Sequence, residues 1–317
     1  MDEPEDTGQQ VIRARRIRQG IPASGLVLAG LVTVGLLALT AALAPLVAPH
    51  NPNVQFADGL DRHGMPLPPC ARFPLGTDSL GRDVLSRVVC GARISLTVGT
   101  VAMLTATVIG LIVGLLAGYH GGWLDTVLMR FTDVMMTVPA LLLAIALAGL
   151  MDGRIVHLHP RWLPVHFLDL RLERGLVSIL IVIGIVTWTG MARVVRGQVL
   201  TVKERDFVEA ARAIGCSHAR VILRHVLPNV LPAVIVLATM STAGTILLEA
   251  GLGYLGIGVP PPAPTWGGMI SEGQPYLLSA PWIALPAGVA VVLAVLGFNL
   301  LGQGLQDVLD PHQRRGR

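Results

Sequence analysis

Long uncharged stretches alternate with shorter charged segments along the whole chain. Six stretches lack Asp, Glu, Lys and Arg over enough length to cross a hydrocarbon core, which needs about 20 apolar residues. They are 21–48, 94–118, 134–151, 175–192, 226–248 and a last one centred on 281–304. The pattern predicts an all-α membrane protein with six transmembrane helices.

A seventh uncharged run, 250–271, differs from the other six in its glycines and prolines. Four prolines interrupt it, at Pro260, Pro261, Pro262 and Pro264. Proline removes a backbone donor, so this run cannot keep the unbroken hydrogen bonding that lipid demands. We interpret it as an ordered loop or a partial re-entry.

The segment 203–229, between the fourth and fifth spans, combines many charges with an amphipathic pattern. Its charged residues are Lys203, Glu204, Arg205, Asp206, Glu209, Arg212, Arg220 and Arg224. Placing eight such residues in lipid would cost on the order of 20 kcal/mol, so the segment must lie outside it. Its apolar residues recur at helical spacing and predict two short amphipathic helices: Phe207, Ala210, Ala211, Ile214, Val221, Ile222 and Val226.

Local signals place the ends of these two helices. Asp206 and Glu209 have the spacing of a capping box, which predicts that the first helix starts at Asp206. Gly215 is expected to end this helix in a left-handed conformation, and Ser217 to cap the next one. The fifth span is expected to restart at two prolines, Pro228 and Pro232.

The first of these helices has the composition of a docking surface. Ala210 and Ala211 allow close approach of a partner, and Phe207 and Ile214 are expected to be the buried anchors, at roughly 1.5–3 kcal/mol each. The alternative interpretation is an exposed hairpin whose polar residues only cap its helices. The residue pattern does not decide between the two.

Composition and charge agree with a membrane protein and set its orientation. The chain is 52% hydrophobic and only 14% charged, whereas soluble domains average about 25% charged. Four arginines precede a first span that is too long for a signal peptide, and a cytoplasmic N-terminus puts 15 Lys and Arg inside and nine outside. We therefore expect cytoplasmic tails at 1–20 and 305–317, a cytoplasmic loop at 203–229, and a core of five helices over 94–304.

The segment 49–93 is expected to be an extracytoplasmic loop. Its last part, 78–90, has apolar residues on one helical side and Arg82, Asp83 and Arg87 away from it. This pattern predicts a separate helix lying in the membrane interface. An ordinary exposed lead-in to the second span is the alternative.

Ionisable residues near the spans suggest further roles. Glu249 lies about twenty residues beyond Pro228, so a helix-end role near the outer boundary is favoured over an intramembrane functional group. We interpret Asp125, Arg130 and Asp133 as an inner turn between the second and third spans.

Other classes of function find weaker support. The chain has no Walker A motif, because Lys203 follows no glycine-rich turn, so ATP-driven work would need another subunit. The basic pI of about 9.4 follows from the cytoplasmic bias and does not indicate nucleic-acid binding. A membrane metalloenzyme would use the histidines of the 152–174 loop, His157, His159 and His166. An ion-driven carrier would need charged residues in mid-span, which these spans lack.

Several motifs resemble the permease subunits of bacterial ABC importers. The EAA signature, E-A-A-x3-G-x9-I-x-L-P, is matched by Glu209, Ala210, Ala211, Gly215, Leu227 and Pro228. His225 replaces the isoleucine, as in the RHxLPN form of the peptide branch. Further runs resemble the oligopeptide, dipeptide and nickel group: 75–96, 249–258, 264–268, 276–282 and 298–311.

This resemblance implies a C-type subunit with the type I importer fold. It implies a second permease, two ATPase subunits and an extracytoplasmic substrate-binding protein as partners, with no cofactor and no catalysis by this chain. The 203–229 loop would be a coupling helix that contacts the ATPase. Residues expected to carry ATPase coupling are Asp206, Phe207, Glu209, Ala210, Ala211, Ile214, Gly215, Leu227 and Pro228. The expected substrates are peptides, with nickel or another small solute as the alternative.

Overall fold

The computed structural model describes residues 23–151 and 176–309, and over these ranges the chain is helical without strands. Within the described ranges five helices are long and apolar enough to cross a membrane, and a bent pair of helices makes a sixth crossing if it counts as one span. The predicted N-terminal tail 1–20, the histidine loop 152–174 and residues 310–317 lie outside the described ranges. The predicted all-α membrane fold is confirmed.

The helices follow one another in a simple order. The first half contains α1 (Ala23–Ala42), α2 (Ala44–Val47), α3 (Val84–His120), α4 (Gly122–Thr137) and α5 (Ala140–Met151). The second half contains α6 (Leu176–Lys203), α7 (Asp206–Ala213), α8 (His218–Val221), α9 (Leu227–Tyr254), α10 (Trp266–Gly273) and α11 (Leu285–Leu309). A π-helical turn, Ile222–Val226, joins α8 to α9 without a break.

The third predicted span, 134–151, is not one straight helix. The structure bends by 90° between α4 and α5, at Val138 and Pro139. Val138 is extended, with φ −87° and ψ 126°, because a residue before proline disfavours the helical conformation. The sequence predicted a turn at Asp125, Arg130 and Asp133. The structure places all three within α4.

Helices α3 and α6 pack closely through a row of small residues. The row is spaced four residues apart: Gly110, Gly114 and Gly118. A methyl group at Gly114 would lie only 2.6 Å from the Cβ atom of Val195, and one at Gly118 only 2.8 Å from that of Val199. Small residues permit such close helix packing, and the structure identifies the partner of this row as α6.

The segment 78–90 does not form the separate interfacial helix that the sequence predicted. Asp83 is the N-cap of α3 and accepts a hydrogen bond from the backbone N–H of Ser86, so Val84–Cys90 is the beginning of a 37-residue span. Arg82 and Arg87, expected on an outer face, are 4% and 1% exposed. An amphipathic pattern cannot show this, because these charges are buried by pairing with residues far away in the sequence.

A buried ion network lies at the start of α3. Arg82 donates to Asp78 at 2.6 Å and to Glu272 of α10 at 2.7 Å. Arg87 donates to the same Glu272 at 2.9 Å and lies 3.4 Å from Asp78. The network attaches α10 to α3 at this end of the bundle, which we call the network end.

The proline-rich run 250–271 is partly helical. Helix α9 continues to Tyr254, residues 255–265 form an irregular connection, and α10 begins at Trp266. The Trp266 indole donates to the backbone carbonyl of Val88 on α3 at 3.1 Å. Glu249 lies near the end of α9, as the sequence suggested, and its side chain is buried within the bundle, at 1% exposure.

Candidate functional site

The segment 203–229 forms two short helices joined by a tight turn. Gly215 has φ +81° and ends α7, as the sequence predicted. Its N–H donates to the carbonyl of Arg212 at 2.9 Å, and the N–H of Cys216 donates to that of Ala211 at 3.1 Å. These two bonds form a Schellman motif, which requires a left-handed residue at Gly215.

The helix caps differ from the prediction although their positions agree. Helix α7 starts at Asp206, but its N-cap is Arg205, which makes no side-chain capping bond, so Asp206 and Glu209 do not form a capping box. Both acids lie in the first turn, where the helix dipole favours negative charge. Ser217 is the N-cap of α8 but likewise makes no side-chain bond.

The two prolines differ in position within α9. Pro228 lies in the first turn, where proline is tolerated. Pro232 lies inside the helix, so the prediction that both prolines mark its start is wrong for the second.

One face of α7 packs against the transmembrane bundle. Val208 and Ala211 are 0% and 4% exposed. They belong to the same apolar cluster as Val199 and Val202 of α6 and Val221 of α8. The buried face of α7 therefore anchors the loop to its own chain.

The remaining side chains of α7, and Ile214 that follows it, are exposed and partly apolar. Phe207 is 39% exposed and Ile214 is 81% exposed, so they are not buried within this chain. Exposed apolar side chains that lie together and are rimmed by charged residues favour a protein contact. We call these residues the loop surface and define it by Phe207, Glu209, Ala210 and Ile214.

A tyrosine at the end of α3 connects the loop to the bundle. The ring of Tyr119 is buried, and its hydroxyl lies 3.0 Å from Nδ1 of His218 on α8. The guanidinium carbon of Arg212 on α7 lies 5.2 Å from the ring centroid. Sequence reasoning missed Tyr119, whose only signal was an aromatic residue just before the glycines that end α3.

Ion pairs join α4 to α6 next to the loop. Arg196 donates to both carboxylate oxygens of Asp125, at 2.5 and 2.6 Å. Arg193, one turn before Arg196 on α6, pairs with Asp133. These acids were expected in a solvated or partner-facing turn, whereas the structure pairs them within the chain.

A cleft of about 660 Å³ opens between α3, α6, α9 and the bent pair α4–α5. Its lining is apolar or hydroxyl-bearing and contains no Asp, Glu, Lys or Arg among the described residues. Gly190 and Gly244 line it, and a methyl group added to either would meet no atom within 4 Å. The cleft is therefore an open, uncharged concavity within the transmembrane region.

Two family models match the chain. Residues 110–315 match the binding-protein-dependent transport system inner membrane component, and residues 24–69 match the N-terminal transmembrane domain of oligopeptide transport permease C. The second match covers α1 and the start of the segment that precedes α3.

Relatives of known name match three quarters or more of the chain. The dipeptide transport system permease protein DppC of Alkalihalophilus pseudofirmus is 36% identical over 98% of this chain and 94% of its own. The oligopeptide transport system permease protein OppC of Bacillus subtilis is 35% identical over 92% and 87%. The glutathione transport system permease protein GsiD of Pectobacterium atrosepticum is 37% identical over 77% and 74%.

A solved structure shares the fold. It is the MetNI methionine ABC transporter in inward-facing conformations, with a TM-score of 0.53 and 18% sequence identity over 71% of this chain and 97% of that chain. The likeness confirms the predicted type I importer permease fold. Together with the family matches, it establishes that the chain belongs to the binding-protein-dependent inner membrane components, the multi-pass membrane permeases of bacterial ABC importers.

Proposed function

We propose that this chain forms half of the translocation path for peptides in an ABC importer. A second, similar permease would complete the path, two ATPase subunits would supply the energy, and an extracytoplasmic protein would deliver the substrate. The observation that carries the peptide assignment is the set of relatives at 35–37% identity, which are named for dipeptide, oligopeptide and glutathione transport. Peptides are therefore favoured over nickel or another small solute.

The cleft suits one wall of such a path. It lies between crossing helices, it is open on one side, and its described lining carries no charge that would hold an ionic substrate. Facing a matching cleft of a second subunit, it would enclose a polar or charged peptide without binding it strongly. Alternating access would then require only that the two ATPase states favour different arrangements of the helices.

The loop surface suits the contact with an ATPase subunit. Val208 and Ala211 hold α7 against the bundle, and Phe207 and Ile214 remain exposed. Covering Ile214 by a partner would stabilise the complex by roughly 1.5–3 kcal/mol, and covering Phe207, which is already more than half buried, would contribute less. Basic residues surround the loop, which supports a cytoplasmic location by the positive-inside rule. ATP hydrolysis would belong to the partner, and this chain would transmit the motion.

The substrate assignment is tested by uptake into proteoliposomes that contain the permease pair, the ATPases and the binding protein. Labelled dipeptide, tripeptide and nickel are offered separately, each with ATP or a non-hydrolysable analogue inside. We expect ATP-dependent uptake of the peptides and no uptake of nickel. Uptake of nickel alone would overturn the peptide assignment but not the permease assignment, and uptake with the analogue would overturn the coupling to ATP.

A further inference from the structure

The 203–229 loop contains two places where it can flex. The first is the break at Glu204 and Arg205 between α6 and α7, and the second is the turn around Gly215 between α7 and α8. A push on the loop surface would be lost as bending at these two places unless α7 and α8 were held to the bundle. The apolar contacts of Val208 and Ala211 hold α7 but, being non-directional, do not fix its orientation.

Tyr119 contacts the loop on both sides of the Gly215 turn. Arg212 of α7 lies over the Tyr119 ring, and His218 of α8 is within hydrogen-bond distance of its hydroxyl. The rings of Tyr119 and His218 are nearly perpendicular, at 73°, with centroids 5.8 Å apart. One buried side chain of α3 thus holds the two loop helices in a fixed relation to each other.

A second contact holds the other flexible place at the same end of α3. Lys203, the last residue of α6, donates from Nζ to the carbonyl of Gly118 at 2.9 Å. The last carbonyls of a helix lack partners within it and carry partial negative charge, so an ammonium group is favoured there. Lys203 precedes the Glu204–Arg205 break, so the end of α6 stays attached to α3 where the loop begins.

Helix α3 is suited to carry motion away from the loop. Its 37 residues form an uninterrupted helix, about 55 Å long at 1.5 Å per residue. At its far end Arg87 takes part in the buried network with Glu272 of α10. The chain itself joins α6 and α9 to the loop, whereas α3 has no covalent connection to it and depends on side-chain contacts.

We infer that Tyr119 is a positioning residue for energy coupling. It clamps α7 and α8 onto the end of α3, so that displacement of the loop surface moves the transmembrane helices instead of bending the loop. This inference rests on the proposed function, because it needs an ATPase that pushes on the loop. It assigns a role to a residue outside the EAA signature.

The test compares three substitutions in the reconstituted complex. Tyr119→Phe removes the hydroxyl and keeps the ring under Arg212. His218→Ala removes the partner, and His218→Asn keeps a polar atom near the position of Nδ1. The measured quantity is substrate transported per ATP hydrolysed, together with the amount of ATPase that co-purifies with the permease.

We expect Tyr119→Phe and His218→Ala each to lower transport per ATP by about two- to tenfold, the factor associated with losing one hydrogen bond. Co-purification of the ATPase should stay unchanged because the loop surface is intact. His218→Asn should recover most of the loss, and the double variant should be no worse than the poorer single variant, since both remove the same contact. Additive losses in the double variant would overturn the pairing.

Tyr254→Phe serves as the matched control, since this tyrosine ends α9 at the network end and is 38% exposed. Equal transport per ATP in the Tyr119→Phe and Tyr254→Phe complexes would overturn the clamp while leaving the proposed function standing. A wild-type complex that transports peptide without any dependence on ATP would instead overturn the proposed function. The two failures are therefore distinguishable.

Discussion

At the scale of single residues, backbone conformation at Gly215 determines how the loop surface is presented. Its φ of +81° is strained for residues with a side chain, yet a Cβ atom there would meet nothing within 4 Å. Any effect of substitution must therefore come from the backbone and not from a clash. Among residues with a side chain, Asn tolerates this conformation well, so an Asn variant can be compared with a Val variant at the same position.

We predict that Gly215→Val abolishes substrate-stimulated ATP hydrolysis in the assembled complex, while membrane insertion is retained. A β-branched residue disfavours the left-handed conformation and would misorient α7 relative to α8. Gly215→Asn should keep much of the stimulation. The measurement is ATPase activity with and without loaded binding protein, and equal stimulation in the valine variant and the wild type would refute the argument.

Glu209 tests the electrostatics of the same surface. It is exposed in the first turn of α7 and belongs to the proposed contact. Glu209→Lys should weaken ATPase docking because it reverses a charge at the contact, and Glu209→Gln should weaken it less. Co-purification at full stoichiometry with the lysine variant would count against this assignment.

At the scale of elements, close contact between α3 and α6 depends on glycine. The facing residues of α6 approach so closely that a methyl group at Gly114 would lie 2.7 Å from the carbonyl oxygen of Ala192. Gly149 on α5 makes a useful contrast, because a methyl group there would meet no atom within 4 Å. The two positions separate the effect of packing from the general effect of alanine in a helix.

We predict that Gly114→Ala destabilises the protein by about 1–3 kcal/mol, the usual cost of overpacking. Gly149→Ala should be neutral or slightly stabilising, since alanine favours the helix more than glycine does. Thermal unfolding in detergent measures both variants. Equal transition temperatures would show that α3 and α6 separate freely at this point.

The buried network at the start of α3 allows a buried ion pair to be compared with an exposed one. Arg87→Met should destabilise the fold by about 3–5 kcal/mol, because it leaves the buried Asp78 and the partly buried Glu272 without one of their partners. Arg72→Met removes an exposed pair with Asp58 and should change little. Similar unfolding temperatures for the two variants would contradict the burial argument.

At the scale of the whole molecule, the hydrophobic pattern predicted the helical membrane fold but not its bends and buried charges. The length of an uncharged run indicates how far a helix can extend but not whether it bends, so the 90° bend at Pro139 was missed. Burial of Arg82 and Arg87 depends on Glu272, which is distant in the sequence. No periodic pattern contains that information.

The loop shows the same limit at the candidate site. The periodicity of α7 identified Phe207, Ala210, Ala211 and Ile214 but not Val208, and Gly215 identified the turn correctly. The periodicity could not show which apolar positions face the chain's own bundle, because a helix with two partners has two apolar faces. The structure assigns Val208 and Ala211 to the bundle and leaves Phe207 and Ile214 exposed.

The most direct test of the account is crosslinking from the loop surface in the assembled importer. A photo-reactive amino acid replaces Ile214, which is 81% exposed, or, as the control, Leu278, which is fully exposed near the network end. The account predicts that the ATPase subunit is captured from position 214 and not from position 278. Capture of the ATPase from position 278, with none from position 214, would contradict it.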